Sequence, residues 1–402
     1  MLLSLAIHVF LTRQNSRMKH HFFAVMAAAI LFSCNPGGNK QQQDTDSATD
    51  HVSDTSAAAR VHFPEEKHLK NVHQLTFGGD NAEAYWSFDG KSIVFQRTDH
   101  QSVMCDQIFS GSVEAVLSQT NEGDYALPSD SAFTYSMVST GKGRTTCAAF
   151  LPGDSLVLFA STHAFADTCP PVPDRKKINK YVWPVYNSYE IYVADLKGNI
   201  IRRLTNNRFY DAEATVSPKG DKIIFTSDRD GDLDLYTMNL DGSNVKRITK
   251  KLGYDGGAWF SPDGSKIVWR CSRPDVMEEK NEYRRLLKQG LVAPTKMEVW
   301  IADADGSNPK QVTALKGANW APTFTPDGKK ILFASNHEYE RGFPFNMYLI
   351  NLDGTGLEKI TFSNQFDAFP MFSYDGKYLI WCSNRNNGGT RATNIFVAEW
   401  VP

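Results

Sequence analysis

Nothing in this 402-residue chain pulls strongly in one electrostatic direction. Its formal net charge is −2, so it has no field of the kind that gathers nucleic acid. No Cys-x-x-Cys pair is present to hold zinc, no Gly-x-Ser-x-Gly elbow for a serine hydrolase, and no glycine-rich loop for phosphate. Cysteine is scarce, at six residues. The longest apolar stretch near the N-terminus, Phe22 to Phe32, falls short of the ~20 residues that a comfortable membrane helix needs. These absences argue against nucleic-acid partners, against a cofactor and against a separate hydrolase domain.

What the chain does have is a repeat. Phe260-Ser261-Pro262-Asp263-Gly264 reads as a strand end and a tight turn, with Pro presetting the first corner and Gly the second. It recurs at Trp86–Gly90, Val216–Gly220, Phe324–Gly328 and Phe372–Gly376, with a degenerate copy at Phe150–Asp154. Each copy is followed by an apolar run that ends in an aromatic residue, such as Ile223-Ile224-Phe225 or Leu379-Ile380-Trp381. Alternating third strands follow, for example Glu298-Val299-Trp300-Ile301 and Asn394-Ile395-Phe396-Val397. Asp-Gly turns then lead to short outer strands such as Arg247-Ile248-Thr249. Several strands per unit at a period of roughly 45 to 65 residues predict an all-β fold, a six-bladed β-propeller of four-stranded blades. The last blade lacks an outer strand of its own. Residues 68–76, which have no preceding blade, are expected to supply it and close the ring.

The N-terminal third of the organisation is different. Residues 1–33 read as a signal segment whose better start is Met18, followed by Lys19-His20-His21 and an apolar core. Leu31-Phe32-Ser33-Cys34 resembles a bacterial lipobox, which implies lipidation of Cys34 and a membrane anchor. Residues 34–66 are polar and are expected to form a flexible tether. The propeller is expected over 67–402. An exported protein permits disulfides, and Cys105, Cys147 and Cys169 lie in or near the insertion-bearing blades. The sequence leaves open which of them pair.

The recurring Ser-Pro-Asp-Gly-x-x-Ile-x-Phe, the Ser227-Asp228-Arg229-Asp230-Gly231 that follows one copy, the Asp234-Leu235-Tyr236 strand and the Leu240-Asp241-Gly242-Ser243-Asn244 turn together resemble the TolB-like β-propeller family. The resemblance spans about residues 68–400. The polar stretch before it does not resemble the N-terminal α/β domain of TolB itself. Relatives of this repeat include scaffolds, peptidase propellers and polysaccharide lyases, so the resemblance implies the fold more firmly than the activity.

Function is expected where the copies differ. Blade 2 carries an insertion from Ala164 to Asn187 with Arg175-Lys176-Lys177, Tyr181, Trp183 and Tyr186; blade 4 carries one from Pro274 to Lys296, with a helix expected over 275–289. Four residues after each second-strand aromatic stand Asp99, His163, Arg229, Arg273, His337 and Arg385. The ring geometry would place His163 opposite His337, and a His/Arg ring would suit an anionic ligand. A structural role for these side chains, or a metal held near His163 and His337, are the alternatives. A second set, Asn81, Thr145, Asp211, Asp255, Asn319 and Asp367, precedes the inner strands. Its members are either turn formers or, through Asp211, Asp255 and Asp367, an acidic funnel into the channel. The sequence therefore predicts a non-catalytic cell-envelope lipoprotein that binds a protein, peptide or glycan. The alternative is a channel enzyme of the oligogalacturonate-lyase type.

Overall fold

The computed structural model describes residues 60–120, 133–339, 342 and 344–402. The expected signal segment, Cys34 and residues 35–59 of the expected tether lie outside them. Among the described residues no helix is long and apolar enough to cross a membrane.

Six four-stranded antiparallel sheets form the six blades of a β-propeller. In five blades the inner strand comes first in sequence, as in Asp211–Val216 and Asp255–Phe260. The second strand carries the apolar run. Ile93, Val94, Phe95, Ile223, Ile224, Phe225, Ile331, Leu332 and Phe333 are all fully buried. Both faces of a blade pack against neighbouring blades, so these strands read as unbroken apolar runs, with no alternation. The outer strands are as short as two residues, at Lys246–Arg247, Lys310–Gln311 and Glu358–Lys359. Short edges of this kind offer little template for pairing with another chain. The ring closes as the sequence predicts. Strand Leu69–Gln74 pairs antiparallel with the last strand, from Leu69 opposite Trp400 to Gln74 opposite Phe396.

The repeated turn is fully self-satisfied. Asp263 Oδ1 accepts from Ser261 Oγ at 2.6 Å and from the Ser265 amide at 3.0 Å, while Gly264, at φ 72°, donates its amide to the Ser261 carbonyl. Equivalent Ser or Thr to Asp bonds recur at Ser87–Asp89, Thr325–Asp327 and Ser373–Asp375. The turn is a joint, with no group left over for a ligand.

Residues 60–66, expected to belong to the tether, are instead packed onto the last blade. Val61 and Glu66 are buried, and Arg385 donates to the Val61 carbonyl at 2.8 Å and to both Glu66 carboxylate oxygens at 2.9 and 3.0 Å. The order begins earlier than composition indicates because one buried guanidinium gives this polar segment a place to bind. Cys105 and Cys169 form a disulfide across a sequence separation of 64, joining a blade 1 loop to the blade 2 insertion. Cys147, Cys271 and Cys382 are free thiols.

Candidate functional site at the channel mouth

The two sets of repeat positions singled out in the sequence turn out to be one structural device. Arg229 donates to Asp211 at 2.8 Å, Arg273 to Asp255 at 2.5 Å and Arg385 to Asp367 at 2.9 Å, each within its own blade. The three carboxylates have no exposed side-chain surface, and the arginines keep 21%, 15% and 1% of theirs. In blades 2 and 5 the first member is uncharged, Thr145 or Asn319, and the second is histidine. His163 Nδ1 lies 2.8 Å from Ser161 Oγ and its ring packs on Tyr192; His337 Nδ1 lies 3.0 Å from Ser335 Oγ and its ring packs on Tyr348. Burial lowers both histidine pKa values, and the positive charges of Arg203 and Lys142 lower that of His163 further. Both rings therefore sit against third-strand tyrosines of their own blades. Among the described residues no group of three or more His, Cys, Asp or Glu could hold a metal. The expected anion ring and acidic funnel are replaced by paired charges, because an unpaired charge at a strand end buried between blades would be costly.

A different register position lines the channel. Two residues further along each inner strand stand Glu83, Cys147, Glu213, Gly257, Ala321 and Phe369, with φ between 47° and 60°. Every inner strand breaks register at this point, for example between Ala212 and Thr215 or between Gly256 and Trp259. This is a β-bulge, which bends a strand and re-aims a side chain. All six residues surround one constriction of about 20 Å³, room for roughly one water. Gly257 and Ala321 leave space on one side. Arg270 fills it, with Nη1 only 2.4 Å from where a Gly257 Cβ would stand.

Above the constriction the channel widens into a cavity of about 330 Å³. Its floor shares Glu83, Cys147, Glu213, Arg270 and Phe369 with the constriction. Its walls are aromatic: Tyr181, Trp183, Tyr186, Tyr189, Tyr210, Trp320 and Phe366. The insertions place the first three. Trp183–Pro184 pairs antiparallel with Leu291–Val292 of the blade 4 insertion, so the two insertions meet across blade 3. The helix Met277–Leu287, within the predicted range, supports this ribbon through Val182, Leu286 and Leu291. Tyr283 on that helix donates to Asp232 at 2.6 Å, which ties the insertion to blade 3. Trp320 stacks on Phe345 and lies 5.1 Å from the Trp183 ring.

The charges on this floor are mostly paired. Glu213 accepts from Tyr210 at 3.0 Å, from Tyr254 at 2.8 and 2.7 Å, and from Arg270 at 2.9 Å. Arg144 donates to Asp106 at 2.6 Å. Arg270 also stacks over Trp183, 5.2 Å from the ring centre. Glu83 accepts from the Cys147 thiol at 2.8 Å. Burial, opposed by that bond and by Arg270, raises the Glu83 pKa; burial and the charges of Glu83 and Glu213 raise the Cys147 thiol well above its usual range. In this arrangement the Cys147 thiol donates to Glu83, and burial opposes its ionisation to the thiolate.

Of the residues expected to bind a ligand, the structure brings Tyr181 and Trp183 into the cavity and leaves the histidines and arginines outside its lining. Glu83, Cys147, Glu213, Arg270 and Trp320 were missed. For Glu83, Cys147 and Glu213 the one trace in the sequence is that this register position reads Glu, Cys, Glu, Gly, Ala, Phe, with no common type; Arg270 and Trp320 lie outside it.

The profile of the TolB beta propeller domain matches residues 172–285 and 292–397. No curated protein matches the chain. Among solved structures, one named for TolB from Agrobacterium tumefaciens is 19% identical, covers 82% of this chain and 97% of its own, and superposes with a TM-score of 0.50. A gluconolactonase from Xanthomonas campestris is 11% identical, with coverages of 86% and 95% and a TM-score of 0.52. At these identities the likeness concerns the fold alone.

Proposed function

Because the chain belongs to the TolB β-propeller family, we propose that it is a ligand-binding propeller of the bacterial cell envelope, anchored by lipid at Cys34 and non-catalytic. Its partner is a protein, peptide or glycan segment held at the channel mouth. One observation carries the reading: the inner strands of several blades and the blade 2 insertion, backed by the paired blade 4 insertion, converge on one aromatic-walled cavity. Rigid aromatic walls with a few placed polar groups are what a recognition pocket needs. The Cys105–Cys169 disulfide supports an oxidising compartment outside the cytoplasm. A channel enzyme with a metal at His163 and His337 has less support, since each histidine is engaged by a serine and a tyrosine of its own blade.

The test is a stability screen of the full chain against envelope-derived peptides and oligosaccharides. A ligand at one hundred times its Kd stabilises by about 2.7 kcal/mol. The stabilisation is expected to disappear in Trp183→Ala. Ligands that stabilise the variant equally would place binding elsewhere. For the anchor, Cys34→Ala is expected to release the protein from membranes; continued sedimentation with them would refute lipidation.

A further inference from the structure

One carboxyl group of the cavity has, among the described residues, no salt bridge of its own and only shares the field of Arg270 with Glu213. Three carboxyl groups and two guanidiniums line the cavity: Glu83, Asp106, Glu213, Arg144 and Arg270. Arg144 pairs with Asp106 and Arg270 pairs with Glu213. Glu83 is left with a thiol donor and, among the described residues, no salt bridge. It stands in a cavity whose other walls are mostly aromatic faces. A carboxylate in such surroundings is the complement of a positively charged nitrogen, which gains both from the charge and from the ring faces.

On this basis, and resting on the channel-mouth reading above, we propose that the occupant presents an ammonium group, held against Glu83 and between the rings of the cavity wall. An anion is disfavoured by the same count. Among the described residues the Nε atoms of Arg144 and Arg270 have no acceptor, but both atoms are buried, and each guanidinium already faces a carboxylate. A bound cation would restore the balance of the floor: three carboxylates against two guanidiniums become three against three. It would also favour the ionised form of Glu83, which burial alone disfavours.

The ammonium has several chemical sources: a lysine side chain, an amino sugar or a quaternary amine. The experiment separates them. The full chain is titrated, with tryptophan fluorescence as the signal, against Nα-acetyl-lysine amide, glucosamine and choline. Their uncharged counterparts, Nα-acetyl-norleucine amide, N-acetylglucosamine and 3,3-dimethylbutanol, are the controls. At least one cation is expected to bind saturably and to outcompete its counterpart by roughly tenfold or more, as charge-assisted bonds do. Glu83→Gln, which keeps the Cys147 contact and the side-chain volume, is expected to remove that margin. Equal binding of cation and counterpart, an unchanged margin in Glu83→Gln, or no saturable binding of any cation at tens of millimolar overturns the proposal. The two readings fail differently. If a ligand is lost in Trp183→Ala but indifferent to Glu83→Gln, the mouth binds and the ammonium does not. If binding survives both substitutions, the mouth is not the site.

Discussion

Replacing Arg385 with alanine distinguishes a structural arginine from a ligand-binding one. Arg385 is 1% exposed and its side chain donates hydrogen bonds to four residues: the Val61 carbonyl, both oxygens of Glu66, Asp367 and Ser383 Oγ. Truncation would leave two carboxylates buried with no positive partner, since Glu66 and Asp367 have no exposed side-chain surface. Breaking a buried ion pair on one side costs about 3–5 kcal/mol. With a urea slope of about 3 kcal/mol per molar, the midpoint of unfolding should fall by roughly 1 M or more. Residues 60–66 should also lose their protection from proteolysis, since Arg385 is their main polar contact. The same substitution at Arg273 and Arg229 should cost less, in that order, because these side chains keep 15% and 21% of their surface. Urea unfolding followed by tryptophan fluorescence reads all three. If Arg385→Ala unfolds at the wild-type midpoint, or if the order is reversed, the assignment of these arginines to intrablade pairing is wrong.

Other outcomes follow from the same contacts. Serine in place of both Cys105 and Cys169 should cost about 4 kcal/mol for a loop of this length and should speed proteolysis within the blade 2 insertion; an unchanged midpoint would contradict this. Gly257→Ala forces a Cβ against Arg270 Nη1 at φ +60°, so it should destabilise by more than the ~1 kcal/mol of a left-handed residue alone and weaken ligand binding together with stability. Burial raises Glu298 to about 7 and Asp255 to about 6. Both hold their proton more tightly folded than unfolded, so their contribution to stability falls as pH rises from about 4 to 7. Buried histidines with lowered pKa oppose this trend, so the test is a difference: between pH 5 and 7 the urea midpoint of Glu298→Gln should rise relative to that of the wild type, and a constant difference would contradict the assignment. Cys147, with its thiol raised by burial, should react with iodoacetamide at pH 7.5 far more slowly than an exposed cysteine; rapid alkylation would refute its placement.

The fold was legible because its determinants are local and repeated. The Ser-Pro-Asp-Gly joint satisfies its own hydrogen bonds, and the second strands are apolar throughout because both faces are buried. Even ring closure could be read, from a strand too many at one end and too few at the other. The site was legible only in part. Tyr181 and Trp183 could be found because insertions stand out against a repeat. The His/Arg positions stood out because His163 and His337 fall on opposite blades; their link to the residue at the start of each inner strand went unread. In blades 3, 4 and 6 an Asp at that position accompanies the Arg, and each such pair is an intrablade contact. Glu83 and Glu213 were hidden because the bulge that turns them into the channel is a backbone event shared by all six copies. Order in residues 60–66 was hidden as well, since it depends on Arg385, more than 300 positions away.

Photo-crosslinking in the living cell tests the central claim most directly. A benzophenone amino acid at Tyr181, on the cavity wall, is compared with one at Ile201, an exposed position on an outer strand. Adducts at position 181 that are absent at 201 and disappear in the Trp183→Ala background are the predicted result. Adducts at 201 with none at 181 would contradict a binding site at the channel mouth.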